Sequence, residues 1–337
     1  MTGPATNAAN AGNAAHAVST GAPVRWLVTG ARGQLGSELT ELLRRDGEDV
    51  TAAGRAELDV TGDGVADALR RWAAGTAADP ADPAAERGAA RRLVVLNAAA
   101  WTDVDGAEAD PAGAAAANTD APARLAAACA ELGATLVHVS TDYVFPGTPV
   151  LDPATGVPRP YEVDDPVGPA TVYGATKEAG ERAVRAALAD HYVVRTAWVY
   201  GAVGGNFVKT IAALRHRRDT LNVVADQHGS PTWAAELAGG LVELVRVGAP
   251  YGTYHLTGTG EATWYDLARA VFEEVGADPA RIHPCDSAAF PRPAPRPAYS
   301  VLSGRSWTAA GLRPPCEWRT ALRSAFRVSR SSFDTPI

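Results

Sequence analysis

Short, almost wholly apolar segments alternate with segments of helical period along the first 200 residues of the chain. The first apolar segment, VRWLVTG, ends at Gly30, and QLGSELTELLRRDG follows it with leucines spaced for one face of a helix. Further apolar segments are DVTAAG, RLVVLNAAA, ATLVHVSTDYVF and YVVRTAWVYG. Continuously apolar strands separated by helices are typical of a parallel sheet covered on both faces. We therefore predict an α/β fold with a Rossmann-type doubly wound parallel sheet.

Helices are predicted between these strands in GVADALRRWAAG, in one Ala-rich stretch that runs to Cys129, and in YGATKEAGERAVRAAL. After Gly201 the alternation loosens, and a proline-rich segment, FPRPAPRPAYSVLSG, is suited to a fixed surface loop. We predict that residues 23–200 and 222–257 form the sheet domain. Residues 201–221 and 258–330 would form a smaller α+β substrate-binding domain. A ligand would then lie in the cleft between them, at the carboxyl ends of the strands.

Composition and charge exclude several classes of protein. The 337 residues carry a formal net charge of −7, which disfavours a nucleic-acid surface, and no apolar run is long enough to cross a bilayer. Residues 1–22 lack the basic and apolar regions of a secretory signal and are predicted to form a disordered tail. Residues 76–90, rich in Ala, Pro and Asp, are predicted to form a surface loop. The three scattered cysteines indicate a reducing cytoplasm and no metal site.

Three glycines follow the first strand directly and open the first helix. Gly30, Gly33 and Gly36 are spaced as GxxGxxG, which differs from the usual GxGxxG of dinucleotide-binding loops. Glycines let the backbone approach a pyrophosphate, and a helix N-terminus favours the anion. The position of the loop between strand and helix predicts a dinucleotide cofactor. The alternative is a tight turn that binds no ligand.

The end of the second strand bears on the choice of cofactor. An acidic residue there would bind the ribose hydroxyls of NADH, but the sequence has Ala53, Gly54 and Arg55. Arg55 could pair with a 2′-phosphate, which favours NADPH and leaves NADH possible. The alternative is that Arg55 is a solvated surface residue.

The segment YGATKEAGE suggests a catalytic pair. Tyr173 and Lys177 are four residues apart, so their side chains share one face of a helix. A nearby ammonium is expected to lower the phenol pKa from its ordinary value of about 10. Tyr173 would then donate a proton to a newly formed alkoxide. The alternative is an ordinary solvated helix face.

Seven motifs in order resemble one known family. TGARGQLG, STDYVFPG and YGATKEAGE are typical of extended short-chain dehydrogenase/reductases. NAAAWTDVDGAE, RTAWVYG, GNFVKT and ADQHGSPTW narrow the resemblance to the dTDP-4-dehydrorhamnose reductase family, from Val24 to about Arg296. The resemblance implies NADPH-dependent reduction of the C4 keto group of dTDP-4-dehydro-L-rhamnose. The implied partner is a small nucleotide-sugar substrate, with no nucleic acid and no membrane.

The resemblance also implies site residues. The catalytic set would be Thr141, Tyr173 and Lys177, with Thr141 donating to the substrate carbonyl. The substrate would contact Thr141, Asp142, Trp198 and Asn206, with Gln227 as a further cleft residue. Besides the glycine loop and Arg55, the implied cofactor-binding residues are Gln34, Leu35, Asp59, Val60, Ala100, Trp101, Thr102, Val139, Tyr173 and Lys177.

Other functions are compatible with the same fold. Nucleotide-sugar dehydratases resemble this chain but have Thr-Asp-Glu where it has Thr141, Asp142 and Tyr143, which argues against dehydration. A 4-epimerase is disfavoured by STDYVFPG and RTAWVYG, which look like the reductases. A related 4-ketoreductase from an antibiotic deoxysugar pathway, such as a dTDP-dihydrostreptose synthase, retains all of these motifs. A non-catalytic relative resembling the regulatory subunit of methionine adenosyltransferase is the alternative from another class.

Some members of the family dimerise around a magnesium ion held by carboxylates. Glu38 matches one such position, but the segment expected to supply the partner carboxylates, LRHRRDTL, is mostly basic. We therefore predict no metal site, treat Mg²⁺ as doubtful, and leave a homodimer open. His228, within the DQ-x-G-x-P segment, either tunes substrate choice or fills a loop.

Overall fold

A computed structural model describes residues 23–75 and 91–333. The predicted tail, residues 1–22, and the predicted surface loop, residues 76–90, lie outside the described residues. The strands are β1 (Val24–Thr29), β2 (Asp49–Ala53), β3 (Arg92–Asn97), β4 (Thr135–Thr141), β5 (Val150–Leu151), β6 (Pro158–Arg159), β7 (His191–Thr196), β8 (Val199–Tyr200), β9 (Leu221–Val224), β10 (His228–Gly229), β11 (Thr232–Trp233), β12 (Gly252–His255), β13 (Ala262–Thr263) and β14 (Ile282–Cys285).

The α-helices alternate with these strands in the first half of the chain. They are α1 (Gln34–Arg45), α2 (Val65–Ala74), α3 (Val104–Ala109), α4 (Pro111–Ala115), α5 (Ala121–Leu132), α6 (Val172–Ala187), α7 (Phe207–Leu214), α8 (Ala234–Arg246), α9 (Trp264–Glu274), α10 (Arg305–Ala309) and α11 (Trp318–Phe333). A π-helical turn, Ala116–Asp120, joins α4 to α5. No helix in the described ranges is long and apolar enough to cross a membrane.

Six parallel strands form the central sheet, in the order β2-β1-β3-β4-β7-β12. Side chains of β1 alternate between its faces, so Trp26 packs on one side and Leu27 on the other. Helices α1 and α8 cover the first face, and α2, α5 and α6 cover the second. The predicted α/β fold with a doubly wound parallel sheet is confirmed. The order of strands reverses at β1, which leaves a crevice between the carboxyl ends of β1 and β3.

Two predicted elements are wrong in detail. The Ala-rich stretch is not one helix, because Asp103 and Asp110 each accept a hydrogen bond from a backbone N–H three residues later and restart the helix. The segment YVVRTAWVYG is two strands, since Trp198 adopts a φ of +46° between them. That left-handed conformation ends β7, and β8 then pairs with β11 outside the central sheet.

A second core lies beside the carboxyl ends of the strands. It is built by α7, α9 and α11 with the parallel pair β9 and β14, and includes Val208, Val271 and Phe326. Strand β9 contributes Val223 to this core, although residues 222–257 are predicted to belong to the sheet domain. The predicted domain boundaries remain a prediction.

Candidate active site

The glycine loop lies at the crevice where the strand order reverses. Gly30 has a φ of +64°, and a Cβ on it would lie 2.7 Å from the backbone nitrogen of Ala99. A Cβ on Gly36 would lie 2.1 Å from the carbonyl oxygen of Gly30. Only glycine therefore fits at either position.

The start of α1 is suited to an anion. Gly33 is its N-cap residue and supplies no side-chain cap, so the N–H groups of Gln34 and Leu35 have no partner within the helix. Free N–H groups at a helix N-terminus bind phosphate oxygens. The geometry therefore fits the pyrophosphate of a dinucleotide at the predicted Gly30, Gly33, Gln34 and Leu35.

A polar clamp holds the segment that follows β3. Asn118, in the π-helical turn, accepts a hydrogen bond from Trp101 N at 2.9 Å and donates to Trp101 O at 3.1 Å. The predicted cofactor segment Ala100, Trp101 and Thr102 is thus fixed beside the glycine loop. Asn118 is not among the predicted site residues, although a lone Asn in an Ala-rich stretch is a detectable signal; its burial is known only from the structure.

The glycines of YGATKEAGE bring α6 close to the strand ends. A Cβ on Gly174 would lie 2.2 Å from Tyr143 O, and one on Gly180 would lie 2.0 Å from Asn118 O. Tyr173 and Lys177 therefore sit on the buried face of α6, beside Thr141 at the end of β4. The structure brings the predicted catalytic set together.

Tyr173 is 9% exposed, and its ring meets Tyr143 edge to face with centroids 5.5 Å apart. Burial raises the pKa of Tyr173 to about 12, while hydrogen bonding with Thr141 acts in the opposite direction. The predicted lowering of this pKa by Lys177 does not hold in this structure. Tyr173 keeps its proton at neutral pH, as a proton donor must.

Lys177 is buried, with 2% of its surface exposed. Its Nζ donates to Val139 O at 2.7 Å and lies 3.4 Å from Nε2 of His138. Burial lowers the pKa of Lys177 to about 8, opposed by the nearby carboxylate of Glu181. Val139, predicted to contact the cofactor through its backbone, is here the acceptor for Lys177.

Asp142 follows Thr141 and is buried. Its Oδ1 accepts a hydrogen bond from the Thr141 hydroxyl at 3.0 Å, and its Oδ2 makes no close hydrogen bond within the described part of the chain, although the buried Ser300 hydroxyl lies near enough to lower the pKa of the carboxyl. Burial raises the pKa of Asp142 to about 6. A buried carboxylate oxygen without a partner fits the predicted role of Asp142 in binding a polar substrate group.

A cleft of about 630 Å³ opens beside Tyr143, between the sheet and the second core. Its walls are partly aromatic and partly polar, which suits a nucleotide sugar. The residues that line it include Tyr143, Phe207, Gln227, Trp264, Arg292 and Arg296. The predicted cleft residue Gln227 lies here. A smaller cavity of about 380 Å³, lined by His255 and Trp307 among others, contains none of the predicted site residues.

Trp198 does not offer a free aromatic face. Its indole stacks on Trp264 with centroids 3.5 Å apart, and a Cβ on Gly229 would lie 2.3 Å from the ring. Trp264, whose Nε1 donates to Gln227, is the member of this stack that lines the cleft. Trp264 is not among the predicted site residues, because only the fold brings it against Trp198.

Asn206 is occupied by structural hydrogen bonds. Its Oδ1 accepts from Lys209 N and caps α7, and its Nδ2 donates to Gln34 Oε1 at 3.0 Å and Gly201 O at 2.9 Å. Asn206 thus ties α7 to the glycine loop. The predicted contact between Asn206 and the substrate remains a prediction.

Two arginines lie near the end of β2. Arg55 is 84% exposed and lies 3.5 Å from Asp59. Arg32, which the sequence analysis missed, pairs with Glu57, and the other oxygen of that carboxylate accepts from Gly54 N at 2.9 Å. A carboxylate therefore occupies an anion site at the place where a cofactor 2′-phosphate is expected.

The predicted adenine-side residues are placed differently from each other. Asp59 accepts hydrogen bonds from the hydroxyl and N–H of Thr61, which lower its pKa, whereas Val60 is buried in the core under α2.

No cluster of three or more His, Cys, Asp or Glu side chains suited to a metal occurs within residues 23–75 and 91–333. Glu38 is half-buried, and burial raises its pKa.

Comparison with known proteins agrees with this geometry. A family model described as the RmlD substrate binding domain matches residues 24–330. The chain belongs to this family. The resemblance predicted from the seven motifs is thereby confirmed, and this RmlD-family chain can be compared with its relatives over most of its length.

Three relatives illustrate the range of the family. A dTDP-4-dehydrorhamnose reductase of Streptomyces griseus is 50% identical over 310 residues, covering 90% of this chain and 93% of that protein. A probable dTDP-4,6-dihydroxy-2-methyloxan-3-one 4-ketoreductase of Streptomyces antibioticus is 45% identical, covering 90% and 95%. A dTDP-4-dehydrorhamnose reductase of Bacillus anthracis, solved in complex with NADP, is 31% identical, with a TM-score of 0.80 and coverage of 91% and 99%.

Proposed function

We propose that this protein reduces the C4 keto group of dTDP-4-dehydro-L-rhamnose to give dTDP-L-rhamnose, with NADPH as the reductant. The observation that carries the proposal is the buried Tyr173 beside Thr141, in edge-to-face contact with Tyr143, which lines a cleft suited to a nucleotide sugar. The 50% identity to a protein named as this reductase supports the same conclusion.

The proton transfer is assigned to Tyr173. When bound, the nicotinamide cofactor supplies the hydride, and negative charge then develops on the C4 oxygen of the sugar. Tyr173 hydrogen-bonds that oxygen and gives up its phenolic proton to it. Thr141 would also donate to that oxygen, once its hydroxyl turns away from Asp142 Oδ1, which it contacts in the free protein. Lys177, when charged, stabilises the resulting phenolate. An acid positioned in this way accelerates a reaction by about 10²–10⁴-fold.

The glycine loop and the start of α1 would hold the cofactor pyrophosphate. Lys177 would hydrogen-bond the nicotinamide ribose, and the segment containing Trp101 would lie along the cofactor. NADPH is preferred over NADH in this proposal because the Bacillus anthracis structure contains NADP and because Arg32 and Arg55 lie near the end of β2. A bound 2′-phosphate would replace the Glu57 carboxylate as the partner of Arg32.

The cleft residues would bind the nucleotide sugar. Trp264 and Phe207 offer aromatic surface for a base or sugar. Arg292 and Arg296 share one carboxylate, that of Asp105, so the group keeps one positive charge in excess for a diphosphate. Asp142, with its free buried oxygen, would accept a hydrogen bond from a sugar hydroxyl. Trp198 would act through Trp264.

A related 4-keto-6-deoxysugar reduction is the second candidate. The Streptomyces antibioticus relative is nearly as similar to this chain as the Streptomyces griseus one. Both reactions use the same acid and hydride donor and differ only in the sugar. The relatives named as reductases make the chain an oxidoreductase, which argues against a non-catalytic subunit. Free Cys129, Cys285 and Cys316 support action in the cytoplasm.

The test is a spectrophotometric assay. Purified protein is mixed with dTDP-4-dehydro-L-rhamnose and the loss of NADPH absorbance is followed, with NADH and a second dTDP-4-keto-6-deoxysugar in parallel. Fast oxidation that is abolished in Tyr173→Phe supports the proposal. Oxidation only with the second sugar supports the alternative. Cofactor binding without oxidation of either sugar contradicts both.

A further inference from the structure

Three buried side chains connect the glycine loop to Lys177. Thr29, the last residue of β1, donates from its Oγ1 to Asn97 Oδ1 at 2.7 Å. Asn97 Nδ2 lies 3.1 Å from His138 Nδ1, and His138 Nε2 lies 3.4 Å from Lys177 Nζ. Each of these residues is at least 97% buried. This series of side-chain contacts crosses β1, β3 and β4 inside the sheet and ends at Lys177 on α6.

The orientation of the Asn97 amide is fixed by its neighbours. Its Oδ1 also accepts from Ala99 N at 3.2 Å, and a backbone N–H can only donate. The atom facing His138 is therefore the amide nitrogen, which is itself a donor. His138 Nδ1 must accept this hydrogen bond.

The tautomer of His138 follows. A neutral imidazole that accepts at Nδ1 carries its proton on Nε2, which here points at Lys177. His138 is neutral, because burial and then the nearby charge of Lys177 hold its pKa well below its ordinary value. An N–H of His138 and an ammonium of Lys177 would thus face each other, donor against donor.

We propose that Asn97 and His138 are positioning residues for Lys177: Asn97 holds His138 in its Nε2–H tautomer, and that N–H opposes the ammonium form of the lysine. An uncharged Lys177 can accept from Nε2 while it donates to Val139 O at 2.7 Å. A charged Lys177 has an acceptor in Val139 but none in His138.

The other charged groups around the pair do not cancel this effect. Glu181, one turn further along α6, favours the ammonium, but its oxygens are bound by Arg195 at 2.9 and 2.8 Å and by Arg185 at 2.5 Å. Arg185 and His191 act on His138 in the same direction as Lys177. His255 faces Arg195 and Glu181, and Asp142 acts on Tyr173.

The consequence for turnover rests on the proposed function. A lysine whose ammonium is opposed has a lowered pKa, about 8 for Lys177, so it takes up and releases its proton close to neutral pH. Its charge then responds to a ribose hydroxyl or a phenolate placed beside it. Asn97 and His138 would set this range without touching the substrate.

The tautomer can be observed directly by NMR. Long-range ¹H–¹⁵N correlation spectra of histidine-labelled protein distinguish Nε2–H, Nδ1–H and doubly protonated rings, and His138→Gln identifies the relevant signals. We expect Nε2–H from pH 6 to pH 9. An Nδ1–H or doubly protonated ring at pH 7 would overturn the proposal. This measurement needs no turnover, so it stands even if the proposed reaction fails.

Asn97→Asp is the informative variant. Its second carboxylate oxygen would accept from His138, which switches the ring to Nδ1–H and presents the Nε2 lone pair to Lys177. We expect the alkaline limb of the kcat/KM profile to move to higher pH by about one unit, which corresponds to a tenfold change in the ionisation equilibrium of Lys177. Thr29→Val is the matched control, because Ala99 N still orients Asn97, and it should leave the tautomer unchanged. An unchanged tautomer or limb in Asn97→Asp would contradict the proposal, and if that variant does not fold, the wild-type spectrum decides.

Discussion

Replacing Lys177 by Met should make the protein more stable while abolishing its activity. The lysine has an ordinary pKa of 10.5, which burial lowers to about 8 in the folded state. This difference corresponds to about 3 kcal/mol of unfavourable free energy in the folded, charged state. Methionine fills a similar volume without a charge, and the lost hydrogen bond to Val139 O costs about 1 kcal/mol. We therefore expect Lys177→Met to raise the free energy of unfolding by about 2 kcal/mol at pH 7.

The gain has a definite dependence on pH. Below about pH 8 Lys177 is charged in both the folded and unfolded states, so the full penalty is present. Between about pH 8 and 10.5 the unfolded chain binds more protons than the folded one, and the stability of the wild type rises relative to the variant. Above pH 10.5 both forms are neutral and the penalty is gone. The lost hydrogen bond should then leave the wild type slightly more stable.

Urea unfolding of cofactor-free protein at pH 7 and at pH 10.5 measures the free energy of unfolding of the wild type and of Lys177→Met. Subtracting one free energy from the other at each pH cancels the contributions of the other titrating groups. Lys209→Met is the matched control, because its Nζ also donates to a carbonyl, Ala202 O, but from a half-buried position. It should give a smaller change at pH 7. A variant Lys177→Met that is less stable than the wild type at pH 7, or a gain that persists at pH 10.5, would refute the reasoning.

Three further outcomes are expected. Tyr173→Phe should lower kcat about 10²–10⁴-fold with little change in cofactor affinity, as stopped-flow and fluorescence titration would show. Gly36→Ala places a Cβ 2.1 Å from Gly30 O and should weaken NADPH binding about tenfold or more. Unchanged affinity in the fluorescence titration would be inconsistent with a cofactor bound at the glycine loop. Arg32→Ala should weaken NADPH binding about tenfold and leave NADH binding unchanged, and Glu57→Gln should strengthen NADPH binding. Equal effects on the affinities for both cofactors, measured by calorimetry, would exclude a 2′-phosphate site at the end of β2.

The sheet was predictable because its signal is local. Each strand of the doubly wound sheet is an apolar run whose neighbours in sequence are helices, and burial on both faces dictates that composition. The catalytic pair was visible for the same reason, since Tyr173 and Lys177 share one turn of one helix. The break at Trp198 was not visible, because it depends on packing against Trp264 and Gly229, which are distant in sequence.

Electrostatics at the site were the least predictable feature. The spacing of Tyr173 and Lys177 suggests a lowered phenol pKa, but the enclosure of both side chains raises one pKa and lowers the other. Enclosure is produced by residues from other elements, including Asn118, which Gly180 allows to approach α6. Arg32 was overlooked for a similar reason, since it belongs to the loop after β1 and reaches the end of β2 only in the fold.

The site concentrates features that a folded protein would avoid if stability alone mattered. Lys177 is buried, Asp142 has a buried oxygen without a partner within the described residues, and Trp198 holds a left-handed backbone conformation. A ribose hydroxyl beside Lys177 or a sugar hydroxyl at Asp142 would relieve the first two. Binding should therefore stabilise this protein by more than the contacts of the ligand with the glycine loop alone would supply. The cost of these groups in the free protein is recovered as affinity when the cleft is filled.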